Sequence, residues 1–236
     1  MLLNNIELEH TNMRDVFVTR ASLGDKPLLI CESETLTYGD ADEQSNRIAN
    51  SLSGFGIAKG DVVATLMYNS VEHAAVWLAC VKLGAIFASL NVSLAPKELV
   101  YSLGDTGAKL IIVDNELIDI YGQARPELVD QPIEVLWRGP ARRDYLAFPT
   151  LLDGDNVLPD VELAPNDPMS IIYTGVARAC PRVCLRPTCI TSVLPSVTKR
   201  SRSRSPMTCT SPTPTSSTSE GSSSDSWGRC TAAPRV

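Results

Sequence analysis

The stretch DVVATLMYNSVEHAAVWLACVKLGAIFASLN, residues 61–91, places a longer amphipathic segment between two short apolar runs. The runs have the length of strands and are apolar throughout, which is typical of strands buried on both faces. The segment between them is predicted to be a helix that begins after Ser70 and ends at Gly84. Its apolar positions recur at helical spacing: Val71, Ala74, Ala75, Leu78 and Val81. A strand, a helix and a strand in this order predict two parallel strands of one sheet.

Similar units lie on both sides of this stretch. Strands are predicted at PLLIC and TLTY before it, and at KLIIVD, PIEVLW and MSIIYT after it. Two further helices are predicted, DADEQSNRIANSLSGFG with Asp40 as its cap and APKELVYSLGDTG with Pro96 in its first turn. We therefore predict an α/β fold with a mostly parallel sheet and helices on both faces. Such sheets bind ligands beyond the carboxyl ends of their strands, and MSIIYTG ends at such a position.

The composition changes abruptly near residue 177. Residues 1–177 contain 12 Lys and Arg against 25 Asp and Glu, a balance of −13, whereas 178–236 contain 9 against 2, a balance of +7. Of the 46 residues in 191–236, 26 are Ser, Thr or Pro, and apolar residues recur there without a period. Such a segment cannot bury enough surface to offset its chain entropy. We predict a folded domain over 1–177 and a disordered tail over 178–236.

The charge and the cysteine content limit which partners and which cellular compartment the sequence favours. The acidic balance of 1–177 argues against nucleic acid as a partner. The start of the chain lacks a signal-peptide pattern, and the most apolar run, residues 74–90, is too short and too interrupted for a transmembrane segment. Residues 1–177 contain two cysteines, Cys31 and Cys80, which is typical of a reducing cytoplasm. We predict a cytoplasmic protein.

The order of motifs over residues 35–113 resembles the amino-terminal part of the AMP-forming acyl-CoA synthetases, a family of adenylating enzymes. Together with the loop motif described next, the agreement extends without a gap over about 140 residues, and it lies in the ordered set of motifs rather than in any one of them. The matching positions are Thr37, Tyr38, Asn46, Arg47, Gly56, Lys59, Gly60, Asp61, Val62, Asn69, Glu72, Lys82, Gly84, Ala85 and Asn91.

The next motif of the resembled family is a phosphate loop of the form Y-T-S-G-T-T-G-x-P-K-G-V-x-x-T-H, which follows a buried strand. Here Tyr173, Thr174 and Gly175 occupy its first three positions, and the resemblance implies that they are the remnant of an ATP phosphate loop. A phosphate loop presents backbone N–H groups, hydroxyls and a lysine to the phosphates. The continuation VARACPRV lacks the small residues, the hydroxyls and the lysine that this requires.

A frameshift near Gly175 explains the break. The codons that can encode residues 176–184 also permit the sequence G-G-T-G-L-P-K-G-V when they are read one base out of frame. In the same shifted frame, the codons of Pro187 and Thr188 permit the Thr and His that follow in the motif. Translation of a GC-rich gene out of frame also yields the Arg, Ser, Pro, Thr and Cys that dominate the tail. We therefore expect residues 178–236 to be unrelated to the family, and the family domain over 1–177 to be truncated.

The resemblance implies an ATP-dependent ligase that converts a carboxylic acid and coenzyme A into an acyl-CoA through an acyl-adenylate, with Mg²⁺, as in fatty acid metabolism. The motifs expected later in a full-length member are missing from 1–236, so we assign no catalytic residue. We expect this chain to be inactive and to bind none of these cofactors well. The alternative is a non-catalytic interaction module that pairs with a full-length synthetase.

The remaining candidate residues are interpreted without a catalytic role. Cys180, Cys184 and Cys189 match no common zinc spacing, so no metal site is assigned. The basic run at 199–205 has no aromatic residues between its charges, which argues against RNA binding. We expect two histidines to be structural or exposed, and one lysine and one asparagine to shape helix ends and turns. These residues are His10, His73, Lys82 and Asn91.

Overall fold

The computed structural model describes residues 12–174 continuously, together with residue 10 and the short strands at 2–3, 6–7 and 182–187. The described residues all belong to the first of the two units of the chain, Met1–Ser196. The tail predicted over 178–236 therefore lies outside the described residues, apart from the strand at 182–187. In the part of the chain that is described, no helix is both long enough and apolar enough to cross a membrane.

Strands and helices alternate along most of the described chain. The strands are β1 (Leu2–Leu3), β2 (Ile6–Glu7), β3 (Pro27–Cys31), β4 (Glu34–Thr37), β5 (Val62–Leu66), β6 (Ile86–Ser89), β7 (Leu110–Asp114), β8 (Ile133–Trp137), β9 (Leu146–Ala147), β10 (Pro168–Thr174) and β11 (Arg182–Pro187). The α-helices are α1 (Met13–Arg20), α2 (Tyr38–Gly54), α3 (Val71–Leu83), α4 (Pro96–Thr106) and α5 (Ile118–Ala124). Short 3-10 turns follow α1, β7, α5 and β9.

The main sheet has seven strands in the order β11, β10, β6, β5, β7, β8, β9. Every neighbouring pair from β10 to β9 is parallel, whereas β11 pairs with β10 in the antiparallel sense. Because the chain places β6 on one side of β5 and β7 on the other, it reverses direction across the sheet at β5. The parallel sheet with alternating helices confirms the predicted fold class.

The two strands predicted first do not join this sheet. β3 and β4 pair only with each other, as an antiparallel two-stranded sheet. The strands predicted at PLLIC and TLTY are therefore confirmed, but they pair with each other as a hairpin and do not join the parallel sheet. A connection of two residues, Glu32 and Ser33, permits antiparallel pairing alone, since a parallel pair needs a crossover.

The core is divided by the sheet into two apolar layers. On one face α2 and α3 cover alternate residues of the strands, including Val63, Ile112 and Val135. On the other face α4 and α5 cover the intervening residues, including Ala64 and Ile111. Both layers are needed because the strands β5 and β7 are buried at every position.

Two predicted helix ends agree with the structure, and one is wrong. The Ser70 hydroxyl accepts a hydrogen bond from His73 N at 3.0 Å and caps α3, and Gly84 ends this helix with a φ of 75°. Asp40 does not cap α2. The helix begins at Tyr38, and the Thr37 hydroxyl accepts a bond from Asp40 N at 3.1 Å. The hairpin keeps the backbone extended up to Thr37, so the cap falls there.

Candidate nucleotide site

The carboxyl ends of β5, β6 and β10 form one polar edge of the sheet. Tyr68 and Asn69 follow β5, and Ser89 and Asn91 lie at the end of β6; all four are exposed. β10 pairs with β6 through Ser170 opposite Phe87, so its last residues lie at the same edge. This edge adjoins β5, where the chain reverses direction across the sheet, and ligands of open parallel sheets bind at such a position.

Tyr173, the first of the three predicted loop residues, is anchored to helix α4. Its hydroxyl lies 2.9 Å from Asp105 Oδ2 and 3.2 Å from the Ser102 carbonyl oxygen, and it donates to them. Burial raises the pKa of the Tyr173 phenol above its ordinary value, and the hydrogen bond to Asp105 raises it further. The hydroxyl therefore holds the end of β10 against α4, and this contact was not visible in the sequence.

Thr174 ends β10 and pairs with Arg182 at the start of β11. Residues 175–181 therefore connect two antiparallel strands at the carboxyl end of β10, which is where the sequence analysis places the phosphate loop. Gly175 and the segment VARACP belong to this connection and lie outside the described residues. The assignment of Tyr173, Thr174 and Gly175 to an ATP loop stays a prediction.

His73 lies half-buried beside the same edge, on the first turn of α3. Its Nε2 is 3.0 Å from the hydroxyl of Thr65 in β5, and its ring lies 5.5 Å from that of Phe87 in β6. Burial lowers the pKa of the His73 imidazole below its ordinary value. The structural role expected from the sequence is consistent with these contacts, which join α3 to two central strands.

His73 is expected to make the chain less stable as the pH falls. The pKa of the His73 imidazole is lower in the folded state than in the unfolded state. The neutral imidazole therefore contributes its full stabilisation above the unfolded pKa of about 6.5, and this stabilisation is lost as the pH falls through the folded-state pKa. Urea denaturation of the chain and of His73→Gln between pH 5 and 8 measures this. As the pH falls below 6.5, the free energy of unfolding of the parent chain should decrease relative to that of His73→Gln. A difference that is constant with pH would contradict the assignment.

Lys82 and Asn91 have structural partners. The Lys82 side chain is buried, and its ammonium group donates to the Asp42 carboxylate at 2.6 Å and to Asn46 Oδ1 at 2.7 Å. It therefore links α3 to α2, whereas its position near the end of α3 predicted that it would shape the end of its own helix. Asn91 accepts a bond from Ser93 N at 2.9 Å and shapes a turn, as expected.

The fold is an open, mostly parallel α/β sheet with a polar edge at the carboxyl ends of its strands, and comparison with known proteins gives its family. Residues 17–175 match the family described as AMP-binding enzyme. The chain belongs to this family, and several of its relatives are CoA ligases. The match ends at Gly175, the residue at which the sequence departs from the phosphate-loop motif.

Several relatives illustrate the match. The chain is 35% identical over 164 residues to the 3-hydroxybenzoate–CoA/4-hydroxybenzoate–CoA ligase of Thauera aromatica, covering 68% of the chain and 31% of the ligase. It is 34% identical over 148 residues to a long-chain-fatty-acid–CoA ligase of Mycobacterium tuberculosis, covering 62% of the chain and 28% of that ligase. The chain thus spans about a third of the length of these relatives.

Solved structures share the fold. An anthranilate CoA ligase in complex with anthranoyl-AMP superposes with a TM-score of 0.73 at 24% identity, over 80% of this chain and 36% of the other. A fatty acyl CoA synthetase of Mycobacterium tuberculosis superposes with a TM-score of 0.61 at 26% identity, over 75% and 34%. The described residues therefore form the amino-terminal part of the adenylate-forming α/β fold.

Proposed function

We propose that the gene for this chain derives from an ATP-dependent acyl-CoA ligase, and that the 236-residue chain does not itself catalyse the reaction. The observation that carries the proposal is the position of the break. The family match ends at Gly175, in the connection between β10 and β11, where the phosphate loop is expected. The intact reaction joins a carboxylic acid to coenzyme A and converts ATP into AMP and pyrophosphate.

The described residues do not suit a triphosphate. The side chains exposed at the carboxyl ends of β5 and β6 are neutral, and they comprise Tyr68, Asn69, Ser89 and Asn91. The Asp105 carboxylate binds the hydroxyl of Tyr173 close to the end of β10, and a carboxylate repels phosphate. Within the described residues, no group of three His, Cys, Asp or Glu side chains could hold a metal ion. We therefore derive no step through ATP or Mg²⁺.

The proposal extends to carboxylic acids as a class. The relatives' names include hydroxybenzoate and long-chain fatty acids, which differ in size and shape. The compartment that the cysteine usage of residues 1–177 predicts is the cytoplasm.

The inactivity of the chain is tested by pyrophosphate release. We expect no release above an ATP-free control with benzoate, hydroxybenzoate or palmitate, because the loop that holds the triphosphate is replaced. A full-length hydroxybenzoate–CoA ligase, assayed in parallel, shows that the conditions support the reaction. Carboxylate-dependent turnover by this chain would overturn the prediction.

The origin of the chain is tested separately, by resequencing the gene across the codons for residues 165–200 and reading onward. We expect that inserting or removing one or two bases restores G-L-P-K-G-V and opens a frame that continues the family sequence. If no such frame follows, the proposed derivation from an intact ligase fails, whatever the activity assay shows.

A further inference from the structure

A groove of about 530 Å³ lies at the amino ends of β7 and β8, and we call it the amino-end groove. It is bounded by residues 55–57 after α2, by the second half of α4 with residues 107–109, and by residues 127–133, which lead into β8. Each of the two strands has five residues, so the groove lies about 16 Å from their carboxyl ends. The amino-end groove is therefore separate from the candidate nucleotide site.

The walls of the amino-end groove are apolar and accessible. Phe55, Val100 and Ile133 line it and are half-buried, so each keeps surface that a ligand can contact. Val129 lines it as well and is 96% exposed, whereas the neighbouring Leu128 is buried in the core and fixes the position of this wall. A concave apolar surface of this volume is within the range of sites that bind small organic molecules.

The wall formed by residues 127–133 is held by a side chain. Gln131 Nε2 donates to the carbonyl oxygens of Arg125 and Leu128, both at 3.1 Å. These two hydrogen bonds close the connection between α5 and β8. The groove is therefore formed in the absence of a ligand, so binding does not require this wall to become ordered first.

The free charges at the amino-end groove are negative. Glu127 and Asp130 line it, both are exposed, and neither forms an ion pair within residues 12–174. Lys109 also lines it, but its ammonium group is paired with Asp61 at 2.8 Å. A groove whose unpaired charges are carboxylates favours a cationic ligand.

Two helix ends add to this negative potential. α2 ends at Gly54, next to Phe55, and α4 ends at Thr106, next to Gly107. The carboxyl terminus of a helix carries a partial negative charge, which a basic side chain in the last turn offsets. Neither α2 nor α4 has a basic residue in its last turn. An ammonium group in the groove would therefore be stabilised by both helix ends.

A second copy of this chain is a less suitable occupant. The exposed Val129 would have to enter the same groove of the other molecule in a two-fold symmetric contact. Such a contact would bring Glu127 and Asp130 of both copies together, and like charges across an interface oppose association. The charge of the groove therefore favours a basic ligand over self-association.

We propose that the amino-end groove binds a small organic cation, an amine with an apolar body. The apolar body would lie against Phe55, Val100 and Ile133. The ammonium group would lie beside Glu127 and Asp130 and near the ends of α2 and α4. This binding site is independent of the proposed function, because it needs neither ATP nor the phosphate loop.

The test uses 2-naphthylmethylamine as the probe and equilibrium dialysis of the 236-residue chain. We expect saturable binding of one molecule per chain. The alcohol 2-naphthalenemethanol has the same ring without the charge and should bind about tenfold more weakly. Raising the salt concentration should weaken binding of the amine but not of the alcohol, because salt screens exposed charges. Absence of saturable binding at millimolar amine, or equal binding of the two compounds, would overturn the proposal.

Matched variants locate the site. Glu127→Gln and Asp130→Asn should each weaken binding of the amine about threefold and the double variant about tenfold, because the attraction of exposed carboxylates is partly screened. Binding of the alcohol should not change. Both residues are exposed and unpaired, so the variants should fold. Asp119→Asn is the control, because Asp119 is exposed but does not line the groove. Unchanged amine binding by the double variant, or equal weakening by Asp119→Asn, would refute the proposed site.

Discussion

Asp42→Ala is expected to lower the free energy of unfolding by about 3–5 kcal/mol, because it leaves a buried ammonium group without its counter-ion. The Lys82 side chain is 2% exposed, and its Nζ atom lies 2.6 Å from Asp42 Oδ1. The acceptors that remain in the variant, the residue-42 carbonyl oxygen and Asn46 Oδ1, are neutral. The ion pair joins α2 to α3, which together cover one face of the sheet.

Chemical denaturation of the chain and the variant measures this loss. Glu43→Ala is the matched control, since Glu43 is the next residue of the same helix and forms an exposed ion pair with Arg47, four residues on. Exposed pairs of this kind contribute about 0.3–0.5 kcal/mol. A loss of similar size in the two variants would show that the Lys82 ion pair is not important for stability.

The loss on Asp42→Ala should also depend on pH. Burial lowers the pKa of Lys82, and the hydrogen bond and charge of Asp42 partly oppose this. Without Asp42 the folded-state pKa falls further below the unfolded value of about 10.4. At pH values between the folded-state and unfolded-state pKa of Lys82, the unfolded chain binds more protons than the folded chain, so the variant gains stability as the pH rises. The difference from the parent chain should therefore shrink between pH 7 and 10, and a constant difference would contradict a buried ammonium group.

Gly154→Ala is expected to cost about 3 kcal/mol, because a side chain at this position would overlap the backbone of α2. An added Cβ atom would overlap the Arg47 carbonyl oxygen and lie 2.8 Å from Ser51 N. Neither backbone group can move without distorting the helix. The segment around Gly154 would have to move away from α2.

That movement would break the hydrogen bonds that fasten residues 154–157 to α2. Asn50 Nδ2 donates to the carbonyl oxygens of Asp155 and Val157, each at 2.7 Å, and Arg47 donates to that of Gly154 at 3.3 Å. Hydrogen exchange of the 150–160 segment should therefore increase together with the loss of stability. Unchanged exchange would show that the close approach is not essential.

Gly104→Ala is the control for this substitution. Gly104 lies within α4, is exposed, and has no atom within 4 Å of an added Cβ. Alanine there should raise the free energy of unfolding by about 0.5–1 kcal/mol, since it restricts the unfolded chain and favours the helix. The two glycine substitutions thus have opposite expected signs, and equal signs would contradict the packing argument.

Much of the fold is predictable from local patterns. The strand–helix–strand order of 61–91, the cap at Ser70, the end at Gly84 and Pro96 in the first turn of α4 all agree with the structure. These features depend on residues that are neighbours in sequence, so a short window contains their cause. The family resemblance of 35–113 was visible for the same reason, and the match over 17–175 confirms it.

The edge that holds the candidate site was predicted only in outline. A parallel sheet with a ligand edge at the carboxyl end of β10 follows from the alternation of strands and helices. The anchoring of Tyr173 by Asp105, 68 residues earlier in the chain, does not. Helices α1 and α5 were also not predicted. The apolar contact of α1 comes from the half-buried Phe17, whose ring lies 5.5 Å from that of Trp77, so its apolar partner is distant in sequence.

Local sequence patterns were thus enough to predict the class of fold, most of the alternation of strands and helices between β3 and β10, and the point at which the family motif breaks. Tertiary structure alone decided that β3 and β4 stand apart from the parallel sheet, and that Thr37 rather than Asp40 caps α2. It also decided that Lys82 is paired with Asp42 and that Phe55, Val100 and Ile133 line one groove. The physical reason is that local conformation depends on side chains within a few residues, whereas strand pairing, buried ion pairs and cavities depend on groups brought together from distant parts of the chain.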